Sequence, residues 1–279
     1  MPEGPEIRLA ADEVERALRR RRTIAVEFAF PQLRRFEKRL SGQRVIAVET
    51  RGKAILTRFE NDLVIYSHNQ LYGRWYVEKK GHYPDTNRQL RLAIHNARFS
   101  ALLYSASEID VLQADQLHRH PFLARLGPDL LSESPDIDTI VERLVSDRFR
   151  GRQLASLLLD QGFVAGLGNY LRAEILTHAG LHPGLKPGQC SECQLRKLAR
   201  LILGLTRRAY RTRGITNPPA LVRQLKRQGL RRREQYRFNS YGRAGKQCHF
   251  CGSTIEFSNA GGRKMYYCPG CQPEPNAAG

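Results

Sequence analysis

The chain has 279 residues, 41% hydrophobic and 26% charged, a balance ordinary for folded proteins and unlike that of a wholly disordered chain. Its 46 Lys+Arg against 27 Asp+Glu leave a formal charge of +19. No stretch approaches the roughly 20 apolar residues of a membrane span, and MPEGPEIRLA lacks the basic-then-apolar order of a secretory signal, so a cytoplasmic protein of about two domains is expected.

Ile7, Ala10, Ala11, Val14 and Leu18 fall on one helical stripe, which predicts a helix over 5–18 with Pro5 in its first turn. Segments rich in β-branched and aromatic residues follow at 23–30, 44–49, 54–59, 63–68, 74–77, 90–94 and 101–104. Their spacing predicts a largely antiparallel sandwich or barrel. The texture changes around 128–135. Helical patterns then run over 137–145, 153–159, 170–179 and 195–210, until Asn217-Pro218-Pro219 breaks them. A Gly/Cys-rich terminus follows.

The charge is unevenly placed. Between residues 196 and 246, 16 basic residues stand against one acid, Glu234. Only 9 of the cations are Lys; the other 37 are Arg, whose planar fork holds phosphate oxygens bidentately. A solvated basic surface is the plain alternative, but such clustering points to nucleic acid. A membrane surface fits less well, because the stretch lacks a clean amphipathic apolar face.

Cys248-x2-Cys251, then 16 residues, then Cys268-x2-Cys271 is the spacing of a tetrahedral four-thiolate zinc site. Disulfides would need an oxidising compartment that no signal here implies. Gly252 and Gly270 stand at tight knuckles where positive φ is expected. Cys190 and Cys193 have no second pair at suitable spacing and read as incidental or weakly redox-active thiols.

The N-terminus has chemical potential of its own. Pro2 is a small second residue of the kind after which Met1 is removed, and an N-terminal amine titrates near 7.7–8, well below the roughly 10.4 of lysine. A secondary amine condensing with a sugar C1′ forms an iminium ion, which acidifies the neighbouring C2′ proton. Glu3 could move a proton beside it. Equally, Pro2, Glu3, Pro5 and Glu6 could simply open a helix, whose positive end suits acids.

MPEGPEIRLAADEV at the start, TRGKAILTRF at 50–59, YSHNQLYGRW at 66–75, DQGFVAGLGNYLRAEIL at 160–176 and the four-cysteine terminus occur together and in order. The set resembles the formamidopyrimidine-DNA glycosylase and endonuclease VIII family of base-excision repair enzymes, over nearly the whole chain. PEGPEI and QLYGRW are similar to the endonuclease VIII branch, which removes oxidised pyrimidines.

The resemblance implies an α+β fold: an N-terminal antiparallel β-sandwich with a flanking helix, a helical helix–two-turn–helix domain, and a four-cysteine zinc-finger β-hairpin. The corresponding divisions are 1–130, 131–237 and 238–273, with 274–279 a flexible tail. It implies a glycosylase that also cleaves abasic sites by β,δ-elimination, with Pro2 as Schiff-base nucleophile, Glu3 as acid/base and Lys53 assisting. Gln70, Leu71 and Tyr72 would fill the hole left by an extruded nucleotide. Arg125 and Asn169 would contact DNA, and Arg263, at the finger tip, the phosphates flanking the lesion. One structural zinc would sit on Cys248, Cys251, Cys268 and Cys271. The implied partner is duplex DNA with oxidised bases or abasic sites, bound by a monomer at a bacterial nucleoid. Two alternatives stand beside this reading: the same machinery preferring formamidopyrimidine or 8-oxoguanine, and a non-catalytic zinc-containing DNA-binding protein. Residues 217–235 are longer and more basic than the family's usual link and would add nonspecific affinity, and Cys190/Cys193 have no family role.

Overall fold

The computed structural model describes residues 2–274, which divide into one unit ending at Leu126 and a second beginning at Gly127.

In the first unit, α1 (Gly4–Leu18) precedes eight strands: β1 (Thr23–Phe28), β2 (Val45–Arg51), β3 (Ala54–Phe59), β4 (Leu63–His68), β5 (Arg74–Lys79), β6 (Leu90–Asn96), β7 (Phe99–Tyr104) and β8 (Glu108–Gln113). Every pairing is antiparallel, in two four-stranded sheets ordered β1-β6-β7-β5 and β2-β3-β4-β8. Val26, Phe28, Ile55, Phe59, Ile65, Leu92, Ile94 and Leu103, from both sheets, share one core with Ile7, Ala11, Val14 and Leu18 of α1. The unit is therefore a sandwich with a flanking helix, not a barrel. α1 packs on β2, an edge of one sheet, and on β5 and β7 of the other.

The outer face of the second sheet is covered too. Ala54, Leu56, Val64 and Tyr66 pack under Leu117, Phe122 and Leu123, from 3-10 turns at Ala114–Arg119 and Leu123–Arg125. Burial on both faces is why AILTRF and LVIYSH read as continuous apolar runs. The strand predicted over 23–30 stops at Phe28, because Pro31 opens a 3-10 helix (Pro31–Phe36) that leads into the single turn α2 (Glu37–Leu40). β8 was not expected: in EIDVLQ the acids Glu108 and Asp110 alternate with Ile109 and Val111 of the inner core, and Leu112 packs on the outer cluster.

The second unit packs α3 (Ile137–Val145), α4 (Leu154–Leu157), α5 (Asn169–Ala179) and α6 (Glu192–Arg211) around one core. α5 is buried on nearly every side, so it lacks the one-faced pattern of a surface helix. Two charged residues are buried on it, Arg172 and Glu174, both 0% exposed. Glu174 accepts from the Asn239, Ser240 and Tyr241 amides at 2.8–2.9 Å and from Thr216 Oγ1 at 2.8 Å, which anchors the chain leading into the cysteine segment. Pro218 and Pro219 do not end the helical region. They cap and begin α7 (Pro219–Arg227), where a missing N–H costs nothing, and one turn, α8 (Arg233–Tyr236), follows. The chain ends in a hairpin of β9 (Glu256–Ala260) and β10 (Arg263–Tyr267), whose Met265 is buried in the helical core.

Candidate active site and nucleic-acid interface

Pro2 is half-buried and Glu3 caps α1 in extended conformation, φ −110° and ψ −177°. The Glu3 amide donates to Glu6 Oε2 at 3.1 Å and its carbonyl accepts from the Ile7 amide at 3.0 Å, so the backbone beside Pro2 is held rigidly. The Glu3 carboxyl is 3% exposed. Lys53 is also buried, at 7%, on the two-residue turn between paired Arg51 and Ala54. Gly52, at φ 62°, takes the first turn position, as a type II′ turn requires. α1 contacts both strands flanking that turn. His68, opposite Ala54, has its pKa lowered by burial and by the Lys53 charge, against the pull of Glu108. The Lys53 charge and the His68 imidazole therefore lie near one another.

Gln70, Leu71 and Tyr72 form a turn beyond β4. The Gly73 amide donates to the Asn69 carbonyl at 2.7 Å, Gln70 adopts φ 47°, and Ser107 Oγ donates to Gln70 Oε1 at 2.5 Å. Leu71 and Tyr72 are 57% and 70% exposed, apolar side chains held out on a fastened turn. A Cβ on Gly73 would come within 2.6 Å of the Asn69 backbone. Gly73→Ala should therefore displace the turn. We expect a stability loss of about 1–3 kcal/mol in denaturant melts; a melt equal to the parent's would show that the turn yields freely.

Arg125 is exposed, with Nε donating to the Pro121 carbonyl at 2.8 Å. It lines a cavity of about 700 Å³ with Tyr66, Asp110, Arg119 and His120. His120 stacks on Tyr66 at 4.2 Å, with Nε2 3.3 Å from Asp110 Oδ2, and burial raises the Tyr66 phenol. Sequence reading missed His68 and His120, since a single His on a mixed segment carries no spacing signal.

In the second unit, Gly168 caps α5 and Asn169 is its first residue. Asn169 Nδ2 donates to the Lys264 carbonyl at 3.0 Å, and its Oδ1 accepts from Arg172 Nη2 at 2.5 Å. Arg172 also donates to the Ala155 and Ala260 carbonyls at 3.0 and 3.1 Å. This buried guanidinium joins α4, α5 and the hairpin, a role that the motif alone did not reveal. Gln161 braces the preceding turn, donating to the Leu167 carbonyl and accepting from the Gly166 amide. Gly261 and Gly262, at φ 60° and 70°, make the tight turn after which Arg263 emerges, exposed, at the start of β10.

The Cys248, Cys251, Cys268 and Cys271 sulfurs lie within 4.8 Å of one another, with Cys248–Cys271 at 3.8 Å and Cys251–Cys268 at 3.4 Å. A tetrahedron with metal–sulfur bonds of about 2.3 Å has edges near ~3.8 Å, so the set fits a four-thiolate metal. The Phe250 amide and Asn239 Nδ2 point at Cys248 Sγ, as donors to a thiolate do. Gly252 has the expected positive φ of 80°; Gly270 does not, and is needed because a Cβ would strike Ser253 and Cys251.

Residues 1–105 match the Formamidopyrimidine-DNA glycosylase N-terminal domain, and residues 126–218 match the Formamidopyrimidine-DNA glycosylase H2TH domain. Endonuclease 8 of Shigella sonnei is 49% identical over 272 residues, spanning 98% of this chain and 100% of its own. The chain belongs to the formamidopyrimidine-DNA glycosylase and endonuclease VIII family. Endonuclease 8 of Klebsiella pneumoniae, at 48% identity, shares the same spans. Family fold is seen in the Lactococcus lactis formamidopyrimidine-DNA glycosylase, solved with DNA containing N7-benzyl-Fapy-dG (TM-score 0.80, 24% identity) and with DNA containing an abasic site (0.79, 22%). Both cover 98% of this chain and 100% of their own. No helix among the described residues is long and apolar enough to cross a membrane.

Proposed function

We propose that this protein is a base-excision DNA glycosylase and abasic-site lyase that removes oxidised pyrimidines from duplex DNA through its N-terminal proline. The observation that carries the reading is the buried Glu3 carboxyl directly following Pro2, at the rigid start of α1. The Pro2 amine attacks C1′, the glycosidic bond breaks, and the base leaves with its electron pair and a proton. The resulting iminium draws electrons from C2′; loss of that proton expels the 3′ phosphate, and a second elimination expels the 5′ phosphate. Glu3 serves proton transfer during base departure, and Lys53 stabilises the charge that builds on departing groups.

Leu71 and Tyr72 occupy the space vacated by the extruded nucleotide, with Gln70 hydrogen-bonding there. Arg125, Asn169 and Arg263 hold phosphates. Cys248, Cys251, Cys268 and Cys271 would hold a structural zinc that orders the hairpin carrying Arg263; with four protein thiolates as its ligands it would take no part in the chemistry. The site needs no second copy of the chain, which acts as a monomer on chromosomal DNA.

The deciding measurement is nicking of duplexes carrying thymine glycol, dihydrouracil or 8-oxoguanine. Thymine glycol and dihydrouracil should be processed at least about tenfold faster than 8-oxoguanine, a difference of about 1.4 kcal/mol at the transition state. The reverse order would assign the pocket to oxidised purines, and nicking of none would leave only a DNA-binding protein.

A further inference from the structure

The chain leaves the helical core after Thr216 and returns at Arg237, and the two ends are pinned together. The Thr216 amide donates to the Arg237 carbonyl at 3.0 Å and Asn217 Nδ2 to the Tyr236 carbonyl at 3.0 Å. Thr216 and Asn217 are buried at the root, and Thr216 Oγ1 reaches the buried Glu174. Within the excursion, α7 buries only Leu225, Lys226 Nζ lies 4.7 Å over the Tyr236 ring, and Gly229 at φ 89° turns the chain back towards α8. This is a folded projection.

Arg223, Lys226, Arg227, Arg231, Arg232 and Arg233 on it are all exposed, with Glu234 the single acid. Several arginines elsewhere pair with acids: Arg22 with Glu60, Arg58 with Glu49, Arg152 with Asp160, Arg196 with Asp138. Among the described residues, none of the six cations is in an ion pair. Like charges held together on an ordered element repel one another, and a polyanion relieves that repulsion. The projection exposes no large apolar side chain that could enter a lipid surface. Its root adjoins the start of α5, with the Arg237 guanidinium 5.5 Å from the Tyr170 ring, next to Asn169.

We propose that residues 217–237 are a second grip on the duplex backbone, one that sets residence on undamaged DNA and takes no part in the chemistry. The partner class rests on the DNA-repair reading above. The test replaces Arg227, Arg231, Arg232 and Arg233 together by Gln, all in exposed positions, with a thermal melt to confirm the fold. Affinity for an undamaged 30-base-pair duplex is measured against salt, and nicking of a lesion duplex in single turnover at saturating enzyme. The slope of log affinity against log salt should become shallower by about 2–4, and affinity near ~0.1 M salt should fall on the order of 10–100-fold. The single-turnover rate should stay within about twofold.

The corresponding four-Lys variant should regain the slope, because a phosphate contact needs the charge. An unchanged slope, a Lys variant as weak as the Gln variant, or a slowed single-turnover step would each overturn the grip. So would tighter wild-type binding to anionic phospholipid vesicles than to the duplex. A wild type that nicks no lesion while the slope still responds would instead sink the glycosylase reading and leave the grip standing.

Discussion

Borohydride added to a mixture of protein and thymine-glycol duplex should join the two covalently, with the attached peptide beginning at Pro2. The amine's acidity decides this. At pH 7.5 roughly a third of an ordinary N-terminal amine is free base, against about one part in a thousand of a lysine. Retaining Met1, or adding an N-terminal tag, turns the Pro2 nitrogen into an amide without an available lone pair, and trapping should disappear. Glu3→Gln should slow release of an intact damaged base by about 10²–10⁴-fold, the usual worth of a positioned acid/base, while sparing cutting at a pre-formed abasic site. Lys53→Ala should slow base removal without moving the cross-link. A cross-link mapping to Lys53, or surviving with Met1 in place, would remove Pro2 from its role.

The second large effect concerns the metal. Mass spectrometry under native conditions should find one zinc per chain, with Cys190 and Cys193 unliganded. Cys268→Ser should lose it and with it the hairpin, since zinc binding of small metal modules supplies about 10–16 kcal/mol that is folding free energy. The damage should reach further than the finger. Met265 belongs to the helical core, and Arg172 donates to hairpin carbonyls at Ala260 and Lys264, so losing the hairpin opens the core and removes partners from a buried guanidinium. DNA binding and nicking should fall together, although Pro2, Glu3 and Lys53 lie in the other unit. A zinc-free chain with full nicking activity, or two zincs per chain, would refute this arrangement.

Sequence alone determined the parts whose signal is local. Strands β3 and β4 are legible because both their faces are buried, and the zinc ligands because two CxxC pairs need only their spacing to converge. The Gln70–Tyr72 turn was legible only as a family pattern, since its exposure depends on β4 being packed in place; at Pro2 and Glu3 residue chemistry left the catalytic and the helix-opening readings open, and the family pattern chose between them.

Tertiary structure decided the rest. β8 becomes a strand because β4 offers it an unpaired edge; its own six residues hold too little apolar alternation to announce it. Two prolines that read as a break start a helix instead, because their missing N–H groups fall where a helix has no use for them. Arg172 and Glu174 are two charges on the helix α5. They are buried because carbonyls from α4 and the hairpin surround one, and amides at 239–241 and the Thr216 hydroxyl surround the other. A charge can be buried only where such partners converge, and that convergence exists in three dimensions, not along the chain.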